Sequence, residues 1–155
     1  MTTKTGIVNA NTVRSVFSRE TFVNIDINAE VSIIWALLTN ASDYPRWNST
    51  VISIEGKISS GEKIQLRSSL DPKRIFKLKV KKMIKDKELV WGDGMGQRTF
   101  SLTPKQGGMI NFGMTEKIGG PLFPLFAKMI PSFDESFDQF AGALKTEAET
   151  IMNSK

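Results

Sequence analysis

Two periodicities divide this chain. From about residue 50 to residue 118, apolar and polar positions alternate with a period of two; beyond Gly119 the apolar positions recur every three or four residues. In the second region Leu122, Phe126, Ile130, Phe133, Phe137, Phe140, Leu144, Ala148 and Ile151 form one stripe along one side of a helix. The opposite side carries Asp134, Glu135, Asp138, Lys145 and Glu149, which suits water. Pro131 interrupts the pattern, because it removes a helical hydrogen bond and its ring crowds the preceding turn. Either the helix kinks there, or a short helix ends near Met129 and the main one starts near Pro131. Gly119-Gly120-Pro121 is the turn that delivers the chain to this helix.

The alternating region predicts strands near 50–57, 62–69, 73–84, 87–92, 97–104 and 109–118. They are separated by turns at Ser59-Ser60-Gly61, Asp71-Pro72, Lys85-Asp86-Lys87, Asp93-Gly94-Met95-Gly96 and Gln106-Gly107-Gly108. Short connections make consecutive strands antiparallel neighbours. Upstream, residues 1–14 are polar and unpatterned and read as a loose arm. Phe17 to Ile27 alternates as a strand, with Val23, Ile25 and Ile27 on one face. Asn28 is placed to cap a helix in which Val31, Ile34, Trp35 and Leu38 share a face, ending near Thr39-Asn40. Ser42 to Trp47 reads as a second, very short helix, with Ser42 as cap and Pro45 in its first turn. The whole is one domain, 1–155, with no internal repeat or linker.

A domain of this length buries roughly 70% of its unfolded surface and needs no staples. The chain has no cysteine and no histidine. Disulfides, thiolate nucleophiles, a Ser-His-Asp triad and most transition-metal sites are therefore excluded. No motif calls for a cofactor or a metal. The net charge of +5 permits weak attraction to anionic lipid or nucleic acid without identifying either. The N-terminal stretch lacks an apolar core and a small-residue cleavage site, and no segment is apolar enough to span a bilayer. The expectation is a soluble cytoplasmic protein.

The element order is strand, two helices, six strands and a long helix. A twisted sheet of that kind needs a cover on one face and curls around the helix that supplies it. Several residues carry a likeness: Ile27-Asn28-Ala29 with Val31 and Trp35, Asp43-Tyr44 and Trp47-Asn48, Gly61-Glu62, Leu89-Val90-Trp91 and Phe100. Glu116 with Gly119-Gly120-Pro121, and Leu144-Lys145 with Glu147, complete the set. Over residues 18–152 the chain resembles the SRPBCC superfamily, also called START or Bet v 1-like, in its polyketide cyclase/dehydrase-type branch. The resemblance implies an α+β helix-grip fold: a curved six- to seven-stranded antiparallel sheet wrapped around the C-terminal helix.

Alternation assigns the inward face of each strand. Phe76, Leu78 and Val80 share one face, as do Leu89 and Trp91, then Arg98, Phe100 and Leu102, then Ile110, Phe112, Met114, Glu116 and Ile118. If sheet and helix do not quite close, the apolar pocket between them is lined by Phe76, Trp91, Phe100, Phe112, Met114, Phe126, Ile130, Phe133 and Phe137. Two charged residues, Arg98 and Glu116, fall on the inward sets of one hairpin. Buried charge is costly unless paired, so they form an ion pair facing the cavity or meet a polar ligand group; the alternative is that both reach water at its mouth. Trp47 either closes the mouth or anchors its helix, and anchoring is the commoner use of a large aromatic.

Lys77, Lys79, Lys81, Lys82, Lys85 and Lys87 form the densest charge cluster. They read as a solvated outer sheet face, since no aromatic residues interleave as a nucleic-acid platform needs; weak contact with an anionic membrane surface is the lesser alternative. The expected function is binding, and transport, of a small hydrophobic molecule: a lipid, a sterol-like compound or a polyketide-like aromatic. The rival is a cyclase or dehydratase using Glu116 as base with Arg98 stabilising an enolate, with Asp93 and Tyr44 as further titrating candidates. Against it, a carboxylate held by a guanidinium is a poor base at neutral pH. A third class, a protein-interaction module, has no feature pointing to it.

Overall fold

The computed structural model describes residues 10–155. Its sheet has eight antiparallel strands: β1 (Asn11–Arg14), β2 (Ser18–Ile27), β3 (Val51–Glu55), β4 (Lys63–Ser68), β5 (Phe76–Ile84), β6 (Glu88–Gly92), β7 (Gly96–Pro104) and β8 (Ile110–Gly119). Their spatial order is β1-β2-β8-β7-β6-β5-β4-β3, so chain neighbours pair throughout except where β2 meets β8 and the first helices intervene before β3. Among the described residues there are four α-helices: α1 (Val31–Thr39), α2 (Tyr44–Trp47), α3 (Phe123–Phe126) and α4 (Asp134–Asn153). This is the predicted α+β helix-grip architecture, with one strand more than expected.

The extra strand comes from the stretch read as a loose arm. Residues 1–9 lie outside the described residues, but Asn11–Arg14 pairs with β2. Nothing apolar announces it, because polar groups hold it: the Ala10 amide donates to Asp138 Oδ1 at 2.6 Å, and the Thr12 hydroxyl donates to Asp134 Oδ1. The polar side of α4 is accordingly not simply solvated. Lys145 Nζ donates to the Asp26 carbonyl at 2.8 Å, and Glu149 accepts both from Lys145 and from the Asn28 amide. That last contact also corrects the expected cap. Asn28 lies ahead of the helix start, the residue preceding α1 is Glu30, and no side chain caps it. Ser42 likewise makes no cap bond; its hydroxyl meets Asn40.

The main helix follows the second of the two readings at Pro131. A short helix and one 3-10 turn end at Met129, and α4 begins at Asp134. From there its stripe packs into the sheet. Phe137, Phe140, Ala141, Leu144 and Ala148 are all at most 2% exposed. The two alanines keep one line of the helix narrow, so its axis can approach the sheet closely. Phe140 stands at the centre of an aromatic cluster, with ring centroids 5.7 Å from Phe100, 6.1 Å from Phe112, 6.1 Å from Tyr44 and 5.8 Å from Trp47. Such pairs add about 0.5–1.5 kcal/mol each beyond area burial.

On β5 the alternation slips once. A bulge between Val80 and Lys82 adds Lys81, so Phe76, Leu78 and Val80 turn inward before it and Met83 after it. Lys77, Lys79, Lys81 and Lys82 stay exposed, and Lys82 pairs with Glu88 at 2.7 Å. At the far end of the neighbouring hairpin, Gly92 is required: a Cβ there would lie 2.4 Å from the Gly96 carbonyl.

Candidate functional site

Toward the end of the sheet where β2, β5 and β7 begin and β4, β6 and β8 end, helix and sheet part. A cavity of about 180 Å³ opens there. Its walls come from the inward faces of β4, β5 and β6 (Leu66, Phe76, Leu78, Trp91), the β4–β5 connection (Leu70, Asp71, Arg74) and the β6–β7 turn (Asp93, Met95). The segment before α4, Met129 to Phe133, and Ser136 on α4 close it from the other side. The break at Pro131 makes the space, because a chain that is not helical between Met129 and Asp134 cannot press a continuous ridge into the sheet.

Arg98 and Glu116 stand directly opposite each other on β7 and β8 and face this cavity. Arg98 Nε donates to Glu116 Oε1 at 2.7 Å, with each side chain 18% exposed. The Arg98 guanidinium carbon sits 5.0 Å above the Phe137 ring. Among the described residues, Arg98 hydrogen-bonds to protein only through Nε, which leaves its two terminal nitrogens as donors.

A second arginine was not foreseen. Arg19 is 3% exposed. It donates through Nη1 to the Ile130 carbonyl at 3.1 Å and through Nη2 to the Pro131 carbonyl at 2.8 Å, and lies 4.8 Å over the Phe133 ring. It thus ties the start of β2 to the broken segment that forms one cavity wall. Burial, and after it the charge of Arg14, draw its pKa below the usual arginine range, while Asp134 and Glu116 act the other way. The signal was present in the sequence: the alternation of Val23, Ile25 and Ile27, carried back two steps, puts Thr21 and Arg19 on the inward face. Arg74 was also missed. It stacks 4.5 Å over Phe76 at the mouth; the alternation of Phe76, Leu78 and Val80, carried back one step, puts it on the same face.

Of the residues expected to line a pocket, Phe76, Trp91, Arg98, Glu116, Ile130 and Phe133 do so. Phe100, Phe112 and Met114 do not. They share the inward face, but further along it, where α4 lies against the sheet, and all are at most 1% exposed in the packed core. Phe137 is sealed between the Phe133 ring, stacked at 6.2 Å, and Arg98. Phe126, on α3 ahead of the break, packs edge-on against Phe123 at 6.1 Å. Trp47 is buried against Tyr44 at 5.1 Å and anchors α2.

The other titrating candidates are occupied. Tyr44 is fully buried and its hydroxyl donates to the Leu38 carbonyl at 2.7 Å; burial pushes its pKa far above the usual phenol value. Asp93 Oδ1 accepts from the amides of Met95 and Gly96, which fixes the β6–β7 turn. Among the described residues no cluster of three metal-ligating side chains occurs, and no helix is long and apolar enough to cross a membrane.

An antiparallel sheet gripping a C-terminal helix, with a cavity at one end, defines a START-like, or SRPBCC-like, fold. Solved structures bear this out. The chain is similar to a START superfamily protein from Mycobacterium smegmatis, with 14% identity over 85% of this chain and 98% of that one and a TM-score of 0.62. It is also similar to CalU16 from Micromonospora echinospora (13% identity, 95% and 92% covered, TM-score 0.58). A conserved protein of unknown function, EF2215 from Enterococcus faecalis, matches with 14% identity, 88% and 75% covered, and a TM-score of 0.64. At these identities the likeness is one of fold. No protein-family model matches the chain, and no curated protein matches its sequence.

Proposed function

We propose that the protein binds a small apolar molecule in the cavity between the sheet and the segment preceding α4, with Arg98 engaging one polar acceptor on the ligand. The observation that carries this reading is the pairing of an apolar chamber with a guanidinium whose terminal nitrogens, among the described residues, form no hydrogen bond to protein. Apolar walls supply affinity, and one fixed polar group supplies orientation.

The volume bounds the occupant. Pockets that enclose drug-sized ligands run to roughly 300–1,000 Å³, and an apolar cavity of about 150 Å³ takes benzene. At about 180 Å³, this chamber suits one aromatic ring or a compact bicycle carrying a carbonyl or hydroxyl. A polyketide-like aromatic fits that description better than a sterol-like compound or a long lipid, which would have to extend through the mouth.

The rival reading, a cyclase or dehydratase, has Glu116 as its base. Its Oε1 is already taken by Arg98 Nε, and Tyr44 and Asp93 are committed elsewhere. Binding without turnover therefore has the better support. The test is native mass spectrometry of the purified protein, followed by calorimetric titration with single-ring and bicyclic aromatic ketones. Saturable one-to-one binding, abolished by Ser136→Phe and weakened about tenfold by Arg98→Met, is expected, the second being the loss of one charge-assisted hydrogen bond. Conversion of the ketone that stops with Glu116→Gln would instead favour the enzyme. Binding that ignores Ser136→Phe would move the ligand out of this chamber.

A further inference from the structure

The cavity mouth lies at an end of the molecule with an unusual surface. Four connections meet there: the β1–β2 turn at 15–17, the β4–β5 connection at 69–75, the β6–β7 turn at 93–95, and the segment 120–133. Three of them are tied together, since the Gly119 amide donates to the Met95 carbonyl and the Gly120 amide to that of Phe17. Among the described residues, every exposed large apolar side chain except Ile52 and Ile84 sits on or beside these connections. Leu125 is 79% exposed, Met129 80%, Leu122 63% and Phe17 57%. Exposed leucines scattered singly need no explanation, but this concentration at one end does.

The arrangement also says what kind of partner fits. Each connection projects only one or a few apolar side chains, from separate tips around an opening. That is no groove for a helix and no continuous edge for a strand. It fits a deformable apolar phase that individual side chains can enter. The charge around the tips has one sign in modest excess: Lys73, Arg74 and Lys128 stand on the connections against Asp71 and Asp93, and Arg14, Lys81 and Lys117 beside them against Asp134 and Glu135. The Asp93 carboxylate is partly engaged by the turn amides. Apolar tips among a modest excess of cations match an anionic lipid surface, where each nearby cation adds roughly 1 kcal/mol.

We propose that this end of the protein docks on the surface of an anionic bilayer, with Phe17, Leu122, Leu125 and Met129 entering the interface and the cavity mouth facing the lipid. The docking surface is therefore not the part of β5 that carries Lys77 and Lys79, which lies along the outer side of the sheet. The proposal goes beyond ligand binding and stands apart from it: Phe17, Leu122 and Leu125 lie outside the cavity lining.

The test is flotation of the full chain with vesicles of phosphatidylcholine alone and of phosphatidylcholine with phosphatidylglycerol. Binding to the mixed vesicles is expected, about tenfold or more weaker on the neutral ones. Leu122→Asp with Leu125→Asp, two exposed positions outside the cavity lining, loses about tenfold or more of that binding and leaves thermal melting unchanged. Lys77→Glu with Lys79→Glu, on the sheet face, retains most of it. Ser136→Phe, with its cavity filled, still docks, so a failure of ligand binding and a failure of docking are read separately. The proposal is overturned if the protein ignores mixed vesicles at low salt, or if the aspartate pair floats as well as the parent. It is also overturned if sedimentation shows that the parent self-associates through this end and the aspartate pair is monomeric.

Discussion

The two ends of α4 meet the same sheet in opposite ways. Around Phe140 the helix is pressed into it, with Ala141, Leu144 and Ala148 at most 2% exposed and aromatic rings on all sides. Ahead of Asp134 the chain is broken, and a chamber of about 180 Å³ remains under Ile130 and Phe133. Both ends are rich in phenylalanine, so composition does not separate them. Backbone continuity does. A helix with small residues at close-approach positions can seat a ridge of large ones, whereas a segment interrupted by Pro131 and held by its carbonyls cannot. One element thus provides a core at one end and a cavity at the other.

The largest expected effect falls at the packed end. Phe140→Ala removes the ring that touches Phe100, Phe112, Tyr44 and Trp47, and stability should fall by about 3–5 kcal/mol in urea unfolding. The equivalent change at the open end, Phe133→Ala, removes a half-buried ring beside existing space and should cost less than half as much. Equal losses would mean that the two ends are packed alike, and the distinction drawn here would fail.

The strands were legible because both signals they rest on are local. Period-two alternation names the inward face, and turn residues name the breaks; even the facing of Arg98 and Glu116 follows from them. What escaped was set by partners distant in sequence. β1 carries no apolar pattern and is recruited by Asp134 and Asp138, more than a hundred residues away. The depth of each inward residue was equally hidden. Phe100 and Phe76 share one alternation rule, but one lies beneath α4 and the other beside its missing first turns, and only the axis of the helix decides which. Pro131 marked the break without saying how far it would extend.

A middle-sized effect tests how the open end is held. Arg19→Met keeps much of the apolar volume but withdraws both donors from the Ile130 and Pro131 carbonyls. A loss of about 2 kcal/mol is expected, from two charge-assisted bonds offset by relief of a buried charge. Hydrogen exchange should rise in residues 127–136 and stay unchanged in the second half of α4. Exchange that rises along the whole helix would make Arg19 a support of the core and not of the cavity wall.

The smallest effect at neutral pH lies at the packed end, and alkali diminishes and then reverses it. Tyr44→Phe removes one hydrogen bond, from the hydroxyl to the Leu38 carbonyl, and should cost about 1 kcal/mol at pH 7. Burial raises the phenol's pKa in the fold well above the value of about 10 that it has in the unfolded chain. The fold therefore favours the protonated form. The stability this contributes is complete below pH 10 or so and declines as pH rises past it, by up to about 1.4 kcal/mol per unit. Urea unfolding of the parent should lose stability above that pH more steeply than Tyr44→Phe, in which the phenol is gone. Because Tyr44 is the only tyrosine in the chain, tyrosinate absorbance reports this one group, and it should appear together with unfolding. Ionisation of Tyr44 while the far-ultraviolet spectrum stays native would show that water reaches the ring, and that the packed end is looser than its aromatic cluster implies.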